Sequence, residues 1–128
     1  MNIHQEIVID ASPAAVYRTL TTAADFSRMT GGKKADISRE VGGAISLFDG
    51  GISGRNVELV PEKRVVQAWR SNAWPEGVYS MIRFELMPEG KGTKLVFDQA
   101  GHPDGAQEML EGGWHKMYWE PMSTMLAG

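Results

Sequence analysis

The chain contains no cysteine among its 128 residues. Disulfide frameworks, thiolate nucleophiles and cysteine-ligated zinc are therefore excluded. The absence fits a reducing compartment, and the expected location is cytoplasmic. No apolar stretch approaches the length of a membrane span. The opening residues Met1 to Glu6 lack the basic start and apolar run of a secretory signal. Basic charge is also lacking. The formal net charge is −3, whereas a nucleic-acid binder presents a basic surface, so no nucleic-acid partner is expected. Lys33-Lys34 is too small a basic group to change this. The glycines are scattered singly and in pairs and form neither a phosphate loop nor a dinucleotide fingerprint.

What is present is a run of short alternating segments between clear turns. Ile3, Ile7 and Ile9 fall on one side of a first strand. Ser12-Pro13 then marks a helix start, with Ser12 as N-cap and Pro13 at the first helical position, where a missing N–H costs nothing. Val16, Tyr17 and Leu20 share one face of that helix. A second short helix begins at Thr21 or Thr22, turns Phe26 and Met29 inward, and ends at Gly31-Gly32. From Lys34 the period is strand-like. Strands are expected at 35–38, 44–48, 52–60, 64–70, 79–87 and 93–99, separated by turns such as Asp49-Gly50-Gly51 and Pro88-Glu89-Gly90-Lys91-Gly92. Links this short join antiparallel neighbours.

The segment from Asp104 to Leu126 is expected to be helical, with Leu110, Trp114, Met117, Tyr118, Pro121 and Met125 recurring at spacings of three and four. Gly112 and Gly113 each cost roughly 1 kcal/mol inside a helix. Pro121 is expected to kink or interrupt the last turns.

This order and several motifs carry a resemblance. They are Thr30-Gly31-Gly32, the run from Val41 to Gly54, Glu58-Leu59-Val60-Pro61, Val66-Gln67-Ala68-Trp69-Arg70, Trp74-Pro75-Glu76-Gly77-Val78-Tyr79-Ser80, and the ending Gly113-Trp114 with Tyr118 and Pro121. Together they resemble the C-terminal domain of the activator of the heat shock protein 90 ATPase, within the START-like (SRPBCC) superfamily. The resemblance implies one domain over residues 1–128 with an α+β helix-grip fold. In that fold a curved antiparallel β-sheet wraps around a long C-terminal α-helix, with two short helices after the first strand and a cavity between sheet and helix. It also implies a chaperone partner. In eukaryotic members a separate N-terminal domain precedes this one; here the chain is expected to begin at the first strand of the grip.

The candidate cavity lining is Phe48, Gln67, Trp69, Ile82, Phe84, Phe97, Trp114, Met117 and Tyr118. An apolar lining with a few polar groups is what small-molecule pockets require. Each of these residues also serves as ordinary core in a sheet-on-helix domain. Gln67 shares a face with Val65 and Trp69 and needs a polar partner, from a ligand or from backbone at a bulge. Met109, Met117, Met122 and Met125 on the last helix supply either an adaptable surface or a flexible core. Trp74, in the loop after Trp69-Arg70, is the candidate contact for a protein partner. His4, His102 and His115 are not at metal-ligand spacing, and His102, before Pro103, is expected to be exposed. No nucleophile–base pair stands out, so neither catalytic residues, a metal nor a cofactor is expected. The expected activity is binding of a small apolar or amphipathic ligand, with chaperone-type protein interaction as the alternative. Oligomeric state is not readable.

Overall fold

In the computed structural model, residues 2–127 are described. β1 (Ile3–Ile9) leads into α1 (Pro13–Thr21) and α2 (Ala23–Met29). A meander follows: β2 (Asp36–Ile37), β3 (Ala44–Leu47), β4 (Ile52–Val60), β5 (Arg64–Ser71), β6 (Ser80–Glu89) and β7 (Gly92–Ala100). The chain then makes a short 3₁₀ turn at Asp104–Ala106 and closes with α3 (Gln107–Trp114), a π-helical turn (His115–Trp119) and α4 (Glu120–Leu126).

The local signals act as the sequence implies. The Ser12 hydroxyl accepts the Ala15 N–H at 3.2 Å and caps α1, with Pro13 in the first turn. The sheet is fully antiparallel in the order β1-β7-β6-β5-β4-β3-β2. The meander thus runs across the sheet, and β1 returns to pair with β7, Ile3 opposite Gln99. Alternation sorts the side chains. Ser80, Ile82, Phe84 and Leu86 of β6 are buried, as are Leu95, Phe97 and Gln99 of β7 and Val65, Gln67 and Trp69 of β5. The helices cover this inner face. Burial of each large apolar side chain stabilises by about 1.5–3 kcal/mol.

Two backbone sites bend the sheet. At Asn56/Glu58 the β4–β5 register shifts in a bulge. At Gly54 a Cβ would lie 1.8 Å from the Ala68 carbonyl oxygen, so only glycine allows that approach.

Three differences from the expected elements have physical causes. Phe48 is not in β3. It has φ 54°, Asp49 has φ 58°, and both belong to the turn into β4. Asp49 holds this turn by accepting the Lys34 N–H at 2.6 Å and donating its own N–H to the Lys34 carbonyl. The C-terminal segment is not one regular α-helix. Pro121 brings no N–H and crowds the preceding turn, and the helix answers by widening over His115–Trp119, where the Glu120 N–H reaches back to the His115 carbonyl. His102 is buried, not exposed, and its Nε2 meets the Gln107 side chain at the start of α3.

The outer face of the sheet carries a charge ladder. His4 bridges Asp98 (2.7 Å) and Glu6 (2.9 Å); Arg83 joins Asp98 to Glu85, and Arg64 joins Glu85 to Glu58. The hydrogen bonds to Asp98 and then Glu6 raise the His4 pKa above its ordinary 6.5. The Asp98 carboxyl is raised by partial burial, but the bonds from His4 and Arg83 outweigh this and leave it lowered. His4 therefore contributes stability that is fully present below its unfolded-state value and fades as pH rises through the folded one. An NMR titration of His4 is expected to report a pKa above 6.5, and the Glu6→Gln/Asp98→Asn pair to bring it back toward that value. No difference between the two proteins would mean the ladder does not hold the imidazolium in solution.

Candidate functional site

The inner face of the sheet does not meet the C-terminal helix evenly. At one end, between the β3–β4 hairpin, the end of β5 and α3, a groove of about 380 Å³ remains. That volume is at the lower end of the range for small-molecule sites. Phe48, Gly51 and Ile52 of the hairpin form one wall. Trp69, Ser71 and Trp74 form the second. Leu110, Gly113, Trp114, Met117 and Tyr118 close it from the helix, and Met109, 81 % exposed, stands at its lip.

Each aromatic has a defined support. Trp114 is one turn before Tyr118 on the helix, and the two rings lie 4.4 Å apart. Trp114 packs on Phe97 (4.2 Å) and on Trp69 (5.1 Å). Phe48 sits edge-on to Phe26 at 5.4 Å and beside Tyr118 at 5.7 Å. The left-handed conformation of Phe48 is strained for a bulky residue, and it places this ring in the groove wall. Trp74 is half-buried and packs edge-on to Trp69 at 5.8 Å.

A buried hydrogen-bond chain lies under these rings. The Trp114 indole N–H donates to Gln99 Oε1 at 2.8 Å, Gln99 Nε2 donates to the Ser80 hydroxyl at 3.0 Å, and Ser80 donates to the Trp69 carbonyl at 2.8 Å. The widened turn buries Trp119 beside Tyr118, and its indole N–H donates to Gln5 Oε1 at 2.7 Å. The Trp69 indole nitrogen and the Tyr118 hydroxyl, by contrast, are buried beside each other and have no well-aligned hydrogen bond to any further group. Burial pushes the Tyr118 phenol far above its ordinary value, and the nearby Trp69 side chain offsets part of that rise.

The structure brings together Phe48, Trp69, Trp74, Trp114, Met117 and Tyr118 around the groove. Ile82, Phe84 and Phe97 are fully buried in the core beneath it. Gln67 is buried beside the bulge, where its Nε2 donates to Asn56 Oδ1 at 3.3 Å. Sequence reasoning did not single out Leu110 or Gly113 as lining, although Leu110 lies in the periodic stripe and Gly113 precedes Trp114. Ser71, Asn72 and Ala106 give no comparable signal.

The groove lining holds no lysine, arginine, histidine, aspartate or glutamate. His115 is exposed and outside it. Among the described residues no group of three or more His, Cys, Asp or Glu is placed to hold a metal ion. No helix among them is long and apolar enough to cross a membrane. The arrangement offers apolar contact and hydrogen bonding.

Comparison with known proteins gives a consistent result. Residues 10–127 match the family model described as Activator of Hsp90 ATPase homolog 1-like protein. The human Activator of 90 kDa heat shock protein ATPase homolog 1 is 33% identical over 109 residues, covering 85% of this chain and 32% of that protein. Mouse homolog 2 is 28% identical over 124 residues, covering 97% of this chain and 37% of that protein. The chain thus spans about a third of the length of these curated relatives. Among solved structures, an HSP90 activator from Plasmodium falciparum superposes with a TM-score of 0.93 at 24% identity, over 99% of this chain and 96% of that one. The Aha1 dimer from Colwellia psychrerythraea gives a TM-score of 0.82 at 24% identity, over 98% of this chain and 96% of that one. These likenesses show the helix-grip fold.

Gln99→Met keeps the side-chain volume but leaves the Trp114 N–H buried without an acceptor. Urea unfolding is expected to show a loss of about 1–3 kcal/mol. An unchanged midpoint would mean that the indole bond does not hold the helix to the sheet.

Proposed function

The chain belongs to the Activator of Hsp90 ATPase homolog 1-like family, and on that premise we propose that it binds a small apolar or amphipathic molecule in the groove between sheet and helix, without catalysis. The observation that carries this reading is the groove itself, walled by Phe48, Trp69, Trp74, Trp114 and Tyr118 and free of ionisable side chains other than the Tyr118 phenol. Gly113 supports it further. A Cβ there would meet nothing within 4 Å, and alanine would favour the helix by roughly 1 kcal/mol. Glycine at this lining position keeps the space open at a cost in helix stability. The cysteine-free composition supports a cytoplasmic setting.

The second reading is a chaperone-interaction module. It is favoured by the likeness to the human and mouse activators and by Met109, exposed at the groove lip near Trp74. Addition of the protein to purified Hsp90 is expected to raise its ATPase rate under this reading, and Trp74→Ala/Met109→Ala to reduce the effect. An ATPase indifferent to the added protein would remove direct activation.

For the ligand reading, Gly112 provides an internal control, since it is exposed, outside the lining, and equally free of steric contact. The protein purified from its host is expected to carry an extractable organic ligand in native mass spectrometry. Gly113→Leu is expected to lose that ligand and Gly112→Leu to keep it, with both variants at least as stable as the parent. Equal retention by both would move the binding site away from the groove.

A further inference from the structure

The outer face of the sheet, on the far side from the groove, divides into two unlike halves. In one half the charges are answered in pairs, along the ladder from His4 through Asp98, Arg83, Glu85 and Arg64 to Glu58. In the other half two neighbouring rows cross the strands. Arg55, Ala68, Met81 and Ala100 stand side by side on β4, β5, β6 and β7. Next to them Ser53 faces Arg70, and the Arg70 guanidinium lies 5.7 Å from the centroid of the Tyr79 ring. These seven positions carry no lysine, aspartate or glutamate. The carboxylate in line with them is Asp36, opposite Ser46 on the short edge strand β2.

Neither Arg55 nor Arg70 forms an ion pair among the described residues. Backbone holds them instead. Arg55 Nη1 donates to the Gly42 carbonyl at 3.0 Å, and Arg70 Nη2 donates to the Trp74 and Pro75 carbonyls at 2.7 and 3.2 Å. Arg70 Nε is buried with no partner among the described residues. A neutral carbonyl orders a guanidinium without cancelling its charge, so less side-chain freedom is lost when a carboxylate arrives. The two stems are diagonal neighbours on adjacent strands, about 7–8 Å apart. Carboxylates on every second residue of an extended chain recur at about 7 Å.

Apolar anchorage lies beside these cations. Met81 is 44 % exposed and Tyr79 49 %. Where the Met81 row meets the ladder there is a hollow of about 260 Å³, lined in part by Val66, Met81, Arg83, Asp98 and Ala100. Tyrosine, methionine and arginine concentrate in protein interfaces, whereas lysine, glutamate and aspartate are depleted there.

We propose that this half of the outer face docks an acidic, extended segment of a protein partner, with an apolar side chain in the hollow against Met81 and carboxylates on Arg55 and Arg70. The surface shares no lining residue with the groove and goes beyond both readings of it. Charge selects the partner, because two arginines without a carboxylate favour an anion. A protein segment suits them better than a nucleic acid, since Asp98, Glu85 and Glu58 of the adjoining ladder repel a continuous phosphate backbone.

A capped hexapeptide alternating glutamate with leucine tests this on the full chain, beside its glutamine–leucine and lysine–leucine counterparts, each titrated by amide NMR shifts. The glutamate peptide is expected to bind most tightly, with shifts centred on Ala68, Met81 and Ala100. Arg55→Gln and Arg70→Gln are each expected to weaken it on the order of two- to fivefold. Lys91→Gln, an equal loss of charge in the turn between β6 and β7, is expected to leave it unchanged. Arg55→Gln decides the matter if Arg70→Gln, which also frees the Trp74 and Pro75 carbonyls, lowers the melting temperature. Equal binding of the glutamate and glutamine peptides, shifts centred on the groove, or equal losses with Lys91→Gln and Arg55→Gln overturn the proposal, as does the absence of saturable shifts at millimolar peptide. Shifts of the same amides on diluting the chain alone would make a second copy the occupant and overturn it too.

Discussion

The Trp114 indole bond to Gln99 is the contact on which the grip depends. It ties the C-terminal helix to the central strands through a continuous buried relay: indole to Gln99, Gln99 to Ser80, Ser80 to the Trp69 carbonyl. Interlocked rings already resist sliding of the helix over the sheet, but the burial of apolar area is itself non-directional. A buried donor held on one acceptor adds direction to that packing, as do the bonds from the Trp119 indole to Gln5 and from Gln5 to the Glu111 carbonyl. The position of Trp114 then sets its neighbours, since Phe97 and Trp69 lean on it from the sheet and Tyr118 from the helix. The groove is the space this fixed geometry leaves at the end where the hairpin and the loop after β5 rise beyond the helix. Its two walls belong to different layers, which the relay and the Trp119–Gln5 bond join.

Local irregularities gather at the same place. Phe48 adopts a left-handed backbone that a bulky residue avoids, held by the Asp49–Lys34 contacts. The helix opposite gives up its regular repeat over His115–Trp119. The two have one effect in common, since each moves a ring toward the groove or the core below it. The wider turn buries Tyr118 and Trp119 side by side, with Trp119 anchored on Gln5 of the first strand and Tyr118 left at the lining. A regular helix and hairpin would avoid both strains and would not present the same aromatic walls.

Much of the fold was legible in the chain because its signals are local. Ser12-Pro13 announces α1, alternation in Ser80, Ile82, Phe84 and Leu86 marks the buried face of β6, and Asp49-Gly50-Gly51 marks a hairpin. The misplacements arise where tertiary packing overrides a local signal. Phe48 reads as the end of a strand because nothing in its neighbours announces a positive φ. Pro121 reads as a kink, but its effect falls upstream as a widened turn, and Trp119 consequently escaped notice as a buried anchor. His102 reads as exposed in its turn, whereas the start of α3 folds over it. Within the candidate lining, alternation identifies the inner face of the sheet but not where along that face the helix lifts away. That explains why Phe84 and Phe97 lie under the groove and Trp69 lines it, and why Gln67 has its partner in Asn56.

The pairing of β1 with β7 places the fold's longest loop closure at its end. The hairpins from β3 to β7 join segments only a few residues apart and can pair as soon as each is made. Ile3 must wait for Gln99, and Gln5 waits longer still for the Trp119 indole. During synthesis the first strand therefore leaves the ribosome long before its partner exists, with an apolar face uncovered and an edge unpaired. Its outer face carries His4 and Glu6, which suits that interval, because charged side chains keep an orphan strand from pairing with the wrong neighbour. The strand that opens the domain is the one whose docking completes it.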